Sequence, residues 1–183
     1  MAQLRADSTA ALDRIIGRHG PALHAYLVRL VQDPEDARDL ALETFVRVHS
    51  YRDRYDAERP FNTWLYTIAT NLARDRLRWR SRHRETALPD ESDPIAQRTQ
   101  LAARVTDRTP SRDLESAERA EAVRQAVARL PEDLRTVVLL SEFENQSNAD
   151  IASVLGCSVK AVEMRLYRAR AQLRNLLSAW ILE

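Results

Sequence analysis

The sequence predicts an all-α chain of two small helical domains joined by a flexible linker, on three observations. Only 3 of 183 residues are glycine and 6% are aromatic, while 44% are hydrophobic. That composition suits packed helices better than sheets. Apolar residues recur at helical spacing through residues 8–84 and again through 118–180. Between them, residues 85–117 hold three prolines, many small or charged residues and little periodicity, as a linker does. No strand-like alternation and no internal repeat interrupts this pattern.

The elements follow in order. Ser8 or Thr9 caps a first helix in which Leu12, Ile15 and Ile16 line one face. Pro21 opens the next, carrying Leu23, Leu27, Leu30 and Val31. Asp33-Pro34 breaks it and starts another, because proline fits the first turn of a helix. That helix carries Leu40, Leu42, Phe45, Val46 and Val48. Residues 51–60, YRDRYDAERP, read as a polar loop, and Pro60 starts a long helix through about residue 82. The linker has seven acids against four arginines, with room for a short helix at 95–104. Further helices are expected at 118–130, 131–143, 147–155 and 158–178.

Bulk charge excludes a simple polycation. The 28 basic residues, 27 of them arginine, stand against 27 acids, so a nucleic-acid surface must come from local clustering. Cys157 is the single cysteine, which leaves no internal disulfide and no paired-cysteine metal frame. His19, His24, His49 and His83 lack ligand-like spacing, so neither metal nor cofactor is expected. The N-terminal stretch has no long apolar run, and no segment approaches a membrane span of about 18 residues. A cytoplasmic setting is expected. No nucleophile elbow, phosphate-binding glycine loop or HExxH stretch points to an enzyme.

Two constellations carry the functional reading. Ser147-Asn148-Ala149-Asp150 has the form of a capping box, and Ile151, Ala152 and Leu155 give the helix after it a buried face. Gly156-Cys157 makes a turn, since glycine tolerates a left-handed conformation, and Ser158 caps the next helix. Together they make a helix-turn-helix. In its second helix Val159, Val162, Leu166, Ala169 and Leu173 share one face. Lys160, Met164, Tyr167, Arg168 and Ala171 lie opposite, with Arg165 on one flank and Arg170 and Arg174 on the other. Such a face suits a major groove.

Residues 130–174 resemble region four of bacterial sigma factors, in the small extracytoplasmic-function group. The family pattern is LPE..R.V.LL...EG.S..EIA..LG.....VKSRL.RAR..LR. The match rests on Leu130-Pro131-Glu132, Ile151-Ala152, Leu155-Gly156, Val162, Arg165-Leu166 and Arg168-Ala169-Arg170. Asn145 stands where glycine is common, and asparagine can also take a positive φ. Asn148 replaces a frequent aromatic. Glu163 replaces a lysine or arginine. It either pairs with Lys160 or Tyr167 along the helix or accepts from a cytosine amino group. The resemblance implies recognition of a minus-thirty-five element by Ser158, Lys160, Met164, Arg165, Tyr167 and Arg168.

The rest of the chain agrees. Residues 33–48, DPEDARDLALETFVRV, are similar to the family's D..DA.DL.QE.F..V helix, with Leu42 in place of glutamine. Asp36, Asp39 and Glu43 stand three to four residues apart on one side, a negative face beside an apolar ridge. The resemblance implies docking on core RNA polymerase through Asp36, Asp39, Leu40, Glu43 and Phe45. Residues 60–84 resemble the F..WL..IA.N...D..R melting segment through Phe61, Trp64, Leu65, Ile68, Ala69, Asn71, Asp75 and Arg78. Phe61, Leu65, Ile68 and Leu72 form its buried stripe, with Thr67, Asn71, Arg74 and Arg78 opposite and Trp64 at the border. Residues 74–84 carry six arginines and one acid. Aromatics beside arginines suit single-stranded DNA. The preceding loop is implied to capture a flipped base, with Tyr51 or Tyr55 as the wall.

The resemblance therefore implies a sigma factor. Residues 8–84 would bind polymerase and melt the minus-ten element, 85–117 would link, and 118–180 would read the upstream element. Core polymerase, promoter DNA and an anti-sigma protein are the implied partners, with nucleoid association when active. A conventional helix-turn-helix regulator would explain residues 147–174 but not the two N-terminal motifs. A helical anti-sigma or adaptor module would lack the basic recognition helix.

Overall fold

The computed structural model describes residues 9–86 and 112–178, with side chains over 10–83 and 117–178. Most of the expected linker, including the helix at 95–104, lies outside the described residues. Seven α-helices and no strand appear among them. They are α1 (Thr9–Val31), α2 (Pro34–Ser50), α3 (Phe61–Thr86), α4 (Arg112–Ala128), α5 (Glu132–Val138), α6 (Asn148–Leu155) and α7 (Val159–Leu176). A 3-10 turn at Arg52–Arg54 follows α2, and a π-helical turn, Leu139–Phe143, extends α5. No helix among the described residues is long and apolar enough to cross a membrane.

Two boundaries differ from expectation. Pro21 does not open a helix but lies inside the continuous α1. It removes one backbone donor, yet Leu23, Tyr26, Leu27 and Leu30 are fully buried on the same helix, and that packing outweighs the local defect. Ile16, expected on the inner face, is 39% exposed, and Ala11 is buried instead. Helix α4 starts at Arg112 rather than 118. Its sequence is rich in Ala, Glu and Arg, which favour helix without producing an apolar stripe.

The first half is a three-helix unit. Asp33 caps α2 by accepting from the Glu35 and Asp36 amides at 2.9 and 3.1 Å. Arg80 of α3 reaches Asp33 at 2.7 Å, and Arg76 and Arg80 both reach Asp36. Burial alone would raise the Asp33 carboxyl, but the Asp36 amide and the Arg80 guanidinium hold it below its ordinary range. Inside the unit the Tyr26 hydroxyl lies 2.8 Å from the Thr70 hydroxyl, and the Tyr26 and Tyr66 rings meet edge to face at 5.1 Å.

The second half folds around Leu130, Leu134, Val137, Leu139, Leu140, Ile151, Val162 and Leu166, all buried. Its turns follow the sequence reading. The Ser147 hydroxyl accepts from the Asp150 amide at 3.1 Å, Ser158 accepts from the Ala161 amide at 3.2 Å, and Gly156 sits at φ 62°. Asn145 takes φ 51°.

The halves do not stand apart. Their buried side chains form one continuous cluster, with α3 packed on α6 and α1 packed on α4, α5 and the π turn. Gln32, at φ 58°, donates its side-chain amide to the Ala128 carbonyl. Arg135 donates to the Leu30 carbonyl at 2.8 Å, and Arg29 lies 4.6 Å over the Phe143 ring. Thr63 donates to Asp150 at 2.9 Å, Arg74 to Glu132 at 3.0 Å, and the Tyr66 hydroxyl to Glu144.

Burial raises the Glu144 carboxyl, and the Tyr66 hydroxyl and the nearby Arg29 charge offset only part of that. A group whose folded pKa is raised stabilises the fold below its unfolded pKa, and that stability is lost as pH climbs through the folded one. Glu144→Gln keeps an acceptor for Tyr66 and removes the charge. Thermal melts should therefore show the variant more stable than wild type by about 1–3 °C at pH 7.5, with the difference vanishing near pH 4. A gap of the same size at both pH values would show that the Glu144 charge does not strain the junction.

Candidate nucleic-acid interface and partner surfaces

Helix α2 turns one face to solvent. Leu42 and Val46, one turn apart, are 61% and 62% exposed. Asp39 and Glu43 flank them, both exposed, and Glu43 holds Arg47 at 2.6 Å. This is an apolar ridge with acidic edges. Three expected contact residues are not on it. Leu40 and Phe45 are buried at 2% and 6%, because they form the inner stripe that seats α2 on α1 and α3. Asp36 is turned to Arg76 and Arg80. These three hold the helix, and the outward surface is Asp39, Leu42, Glu43 and Val46. Leu42, which the sequence pattern marked only as a lost glutamine, is the centre of the ridge.

The loop after α2 separates the two candidate tyrosines. Tyr55 is buried at 8%, donates to the Arg59 carbonyl at 2.7 Å and packs 5.0 Å from Trp64 and 6.0 Å from Phe61. Tyr51 is 40% exposed, with the Arg54 guanidinium 5.2 Å over its ring. The exposed aromatic wall is therefore Tyr51, while Tyr55 and Phe61 support Trp64 from behind. Phe61 also meets the His19 ring at 5.0 Å, and burial beside Arg18 keeps that imidazole below its ordinary pKa.

Along α3, Asn71 and Arg78 are exposed. Arg78 has only a long contact to Asp75, at 3.8 Å. Thr67 is half-buried and returns its hydroxyl to the Thr63 carbonyl at 2.7 Å. Arg74 is not part of this open face, because its ion pair with Glu132 of α5 leaves the side chain 18% exposed. About three turns nearer the N-terminus, Thr63 is buried against α6. One edge of the α3 surface is thus covered by the second half of the chain.

Helix α7 presents most of the face its period predicts, although Val159 at its first turn is exposed rather than turned inward. Val162, Leu166 and Ala169 are buried, while Met164 and Tyr167 are 43% and 72% exposed. The side chains of Lys160, Glu163, Tyr167 and Arg168 take no hydrogen bond or ion pair from another described residue. Glu163 therefore does not pair with Lys160 or Tyr167. It lines an open groove with Asn148, Tyr167, Arg170 and Arg174. Arg170 is held by Glu142 at 3.0 Å. Arg165 is half-buried and points its guanidinium at the Cys157 sulfur, 3.7 Å away, so it braces the turn. Ser158 acts as the cap of α7.

Comparison with known proteins gives the same two parts. Residues 15–83 match the family model for sigma-70 region 2, and residues 120–173 match that for sigma-70 region 4. The RNA polymerase sigma-H factor of Pseudomonas aeruginosa is 33% identical over 180 residues, spanning 94% of this chain and 89% of its own. The extracytoplasmic-function sigma factor SigW of Bacillus subtilis is 30% identical over 176 residues, spanning 96% and 93%. Among solved structures, CnrH in complex with the cytosolic domain of CnrY aligns with a TM-score of 0.66 at 30% identity, covering 97% of this chain and 94% of that one.

Proposed function

The chain belongs to the extracytoplasmic-function group of the sigma-70 family of RNA polymerase sigma factors, and on that premise we propose how its surfaces divide the work. The family consists of initiation factors rather than enzymes. The ridge Asp39, Leu42, Glu43 and Val46 docks on core RNA polymerase. Apolar burial supplies attraction, and the carboxylates select a basic partner. The observation that carries this is an exposed, acid-flanked apolar ridge in a chain that also holds a complete helix-turn-helix. A conventional regulator needs the second and not the first.

Residues 9–86 act on the minus-ten element. Tyr51 walls the pocket for an unpaired base, and Trp64, Thr67, Asn71 and Arg78 follow the strand along α3. Promoter opening is a matter of preferential binding, since these groups bind what closed duplex does not offer. In residues 118–178, Lys160, Met164, Tyr167 and Arg168 face the major groove, while Ser158 and Arg165 fix the helix that carries them. Arg74 joins the DNA surface only after α5 moves off α3. Polymerase binding therefore draws on a state in which the two halves separate. An anti-sigma protein of the kind bound to CnrH holds them together. The active protein works in the cytoplasm on the nucleoid.

Run-off transcription on fragmented genomic DNA with bacterial core polymerase tests the reading. Discrete new starts are expected only when polymerase and this chain are both present. Tight duplex binding by the chain alone, without transcripts, would favour the conventional regulator. Asp39→Arg should reduce co-purification with core polymerase about tenfold or more without moving the melting temperature, whereas Phe45→Ala should cost about 3–5 kcal/mol of stability from its cavity. Equal co-purification of Asp39→Arg and wild type would remove the ridge from the interface. Arg168→Ala should lower promoter-specific transcription about 5- to 100-fold while polymerase binding holds. Unchanged transcript levels would take Arg168 off the recognition surface.

A further inference from the structure

We propose that Trp79 and His83, near the C-terminal end of α3, form a stacking platform for a nucleobase of single-stranded DNA, with Arg78 and Arg82 beside it on the phosphates. Trp79 is 51% exposed, and no other tryptophan among the described residues is exposed to this degree. Its indole is not loose. The His83 ring stacks on it with centroids 4.0 Å apart and planes 30° from parallel, and His83 Nδ1 lies 2.9 Å from the Trp79 carbonyl. The backbone beneath is held as well. Arg76 and Arg80, on the neighbouring side of the helix, are tied to Asp36 and Asp33 at the start of α2. That clamp sets which way Trp79 points.

The result is an ordered aromatic surface, stacked by His83 on one face and half-exposed among the described residues. Stacking on it would cost little side-chain entropy, because the ring is already fixed. Its surroundings suit one class of occupant. Arg78 is 71% exposed, with Asp75 only at 3.8 Å. Arg82 is exposed and donates to the Arg78 carbonyl at 3.4 Å, which keeps the two guanidiniums on one side. Asp75, Arg78, Ser81 and Arg82 line an open groove beside them. An aromatic plane next to paired guanidiniums matches a base next to its phosphate. The platform is 15 residues beyond Trp64, or about 22 Å along the helix, too far to serve the same nucleotide. It is a second point of contact on the strand, independent of the pocket behind Tyr51. It extends the reading of α3 as a DNA surface, and depends on it.

Because Trp79 is open while the two halves are packed together, the full-length chain alone can be used. The probe is a fluorescein-labelled single strand of about 20 nucleotides, read by anisotropy at low salt, with an abasic deoxyribose-phosphate strand of equal length as the control. Trp79→Ala should bind the base-bearing strand about 5- to 100-fold more weakly, the range one base–aromatic stack is worth. Trp79→Phe should stay within about threefold of wild type. On the abasic strand Trp79→Ala and wild type should bind alike. Circular dichroism should report the same helix content for all three. Equal affinity of wild type and Trp79→Ala for the base-bearing strand, or no binding by either, overturns the platform. So does an equal loss on both strands, which would make Trp79 a support for the arginines. Failure of run-off transcription with these affinities as expected would count against the sigma-factor assignment of α3 and leave the platform standing.

Discussion

Helix α3 has to satisfy neighbours on two sides. Toward the first half it buries Leu65, Ala69, Leu72 and Ala73 against α1 and α2. Toward the second it buries Thr63 and Tyr66 against α6 and the loop that carries Glu144. Two sides consumed in packing leave one strip for solvent, and that strip carries Asn71 and Arg78. The two-sided seat also explains the polar character of its central turns. Thr70 is wholly buried yet bonded to Tyr26, and Tyr66 is bonded to Glu144. A buried polar group costs free energy unless it is paired, and here each is paired across elements rather than within its own helix.

The C-terminal turns of α3 meet a different constraint. Past Ala73 only Leu77 still packs against the core, and charge takes over from apolar packing. Asp33 and Asp36 accept from Arg76 and Arg80 while Asp33 also caps α2. One aspartate thus terminates one helix and anchors another. This makes the arginine-rich tail two surfaces instead of one. Arg76 and Arg80 are structural, and Arg78 and Arg82 remain outward. Of the six arginines of residues 74–84, Arg74, Arg76 and Arg80 are held in ion pairs with Glu132, Asp36 and Asp33, so reading all six as a single open basic patch overstates it.

How much was legible depended on the range of the interaction. Helices, caps and turns are local, and the sequence showed them well. Ser147, Ser158, Gly156 and Asn145 all do what their chemistry predicts. The recognition face of α7 followed from its 3.6-residue period. Within a motif, however, spacing does not say which letters face in. Leu40 and Phe45 recur in the pattern because they pack, and Asp36 because it clamps. Pro21 misled because a local helix-start signal fell inside a strongly apolar continuous helix. The contacts between halves were not legible at all. Thr63 and Asp150 are 87 residues apart, Tyr66 and Glu144 78, and Gln32 and Ala128 96. No periodicity links such pairs.

The junction is also where stability and function oppose each other. Its polar contacts tie up Thr63 and Arg74, and Arg74 belongs to the DNA surface proposed for α3. On the proposed opening, a tighter junction means a smaller open population and weaker apparent binding of polymerase and promoter. A looser one would expose buried apolar surface. The carboxyl of Glu144 sits at this junction, raised by burial that the Tyr66 hydroxyl and the nearby Arg29 charge offset only in part. An ionised carboxylate there is compensated less fully than its burial demands, so the closed arrangement is weaker than a neutral acceptor would make it.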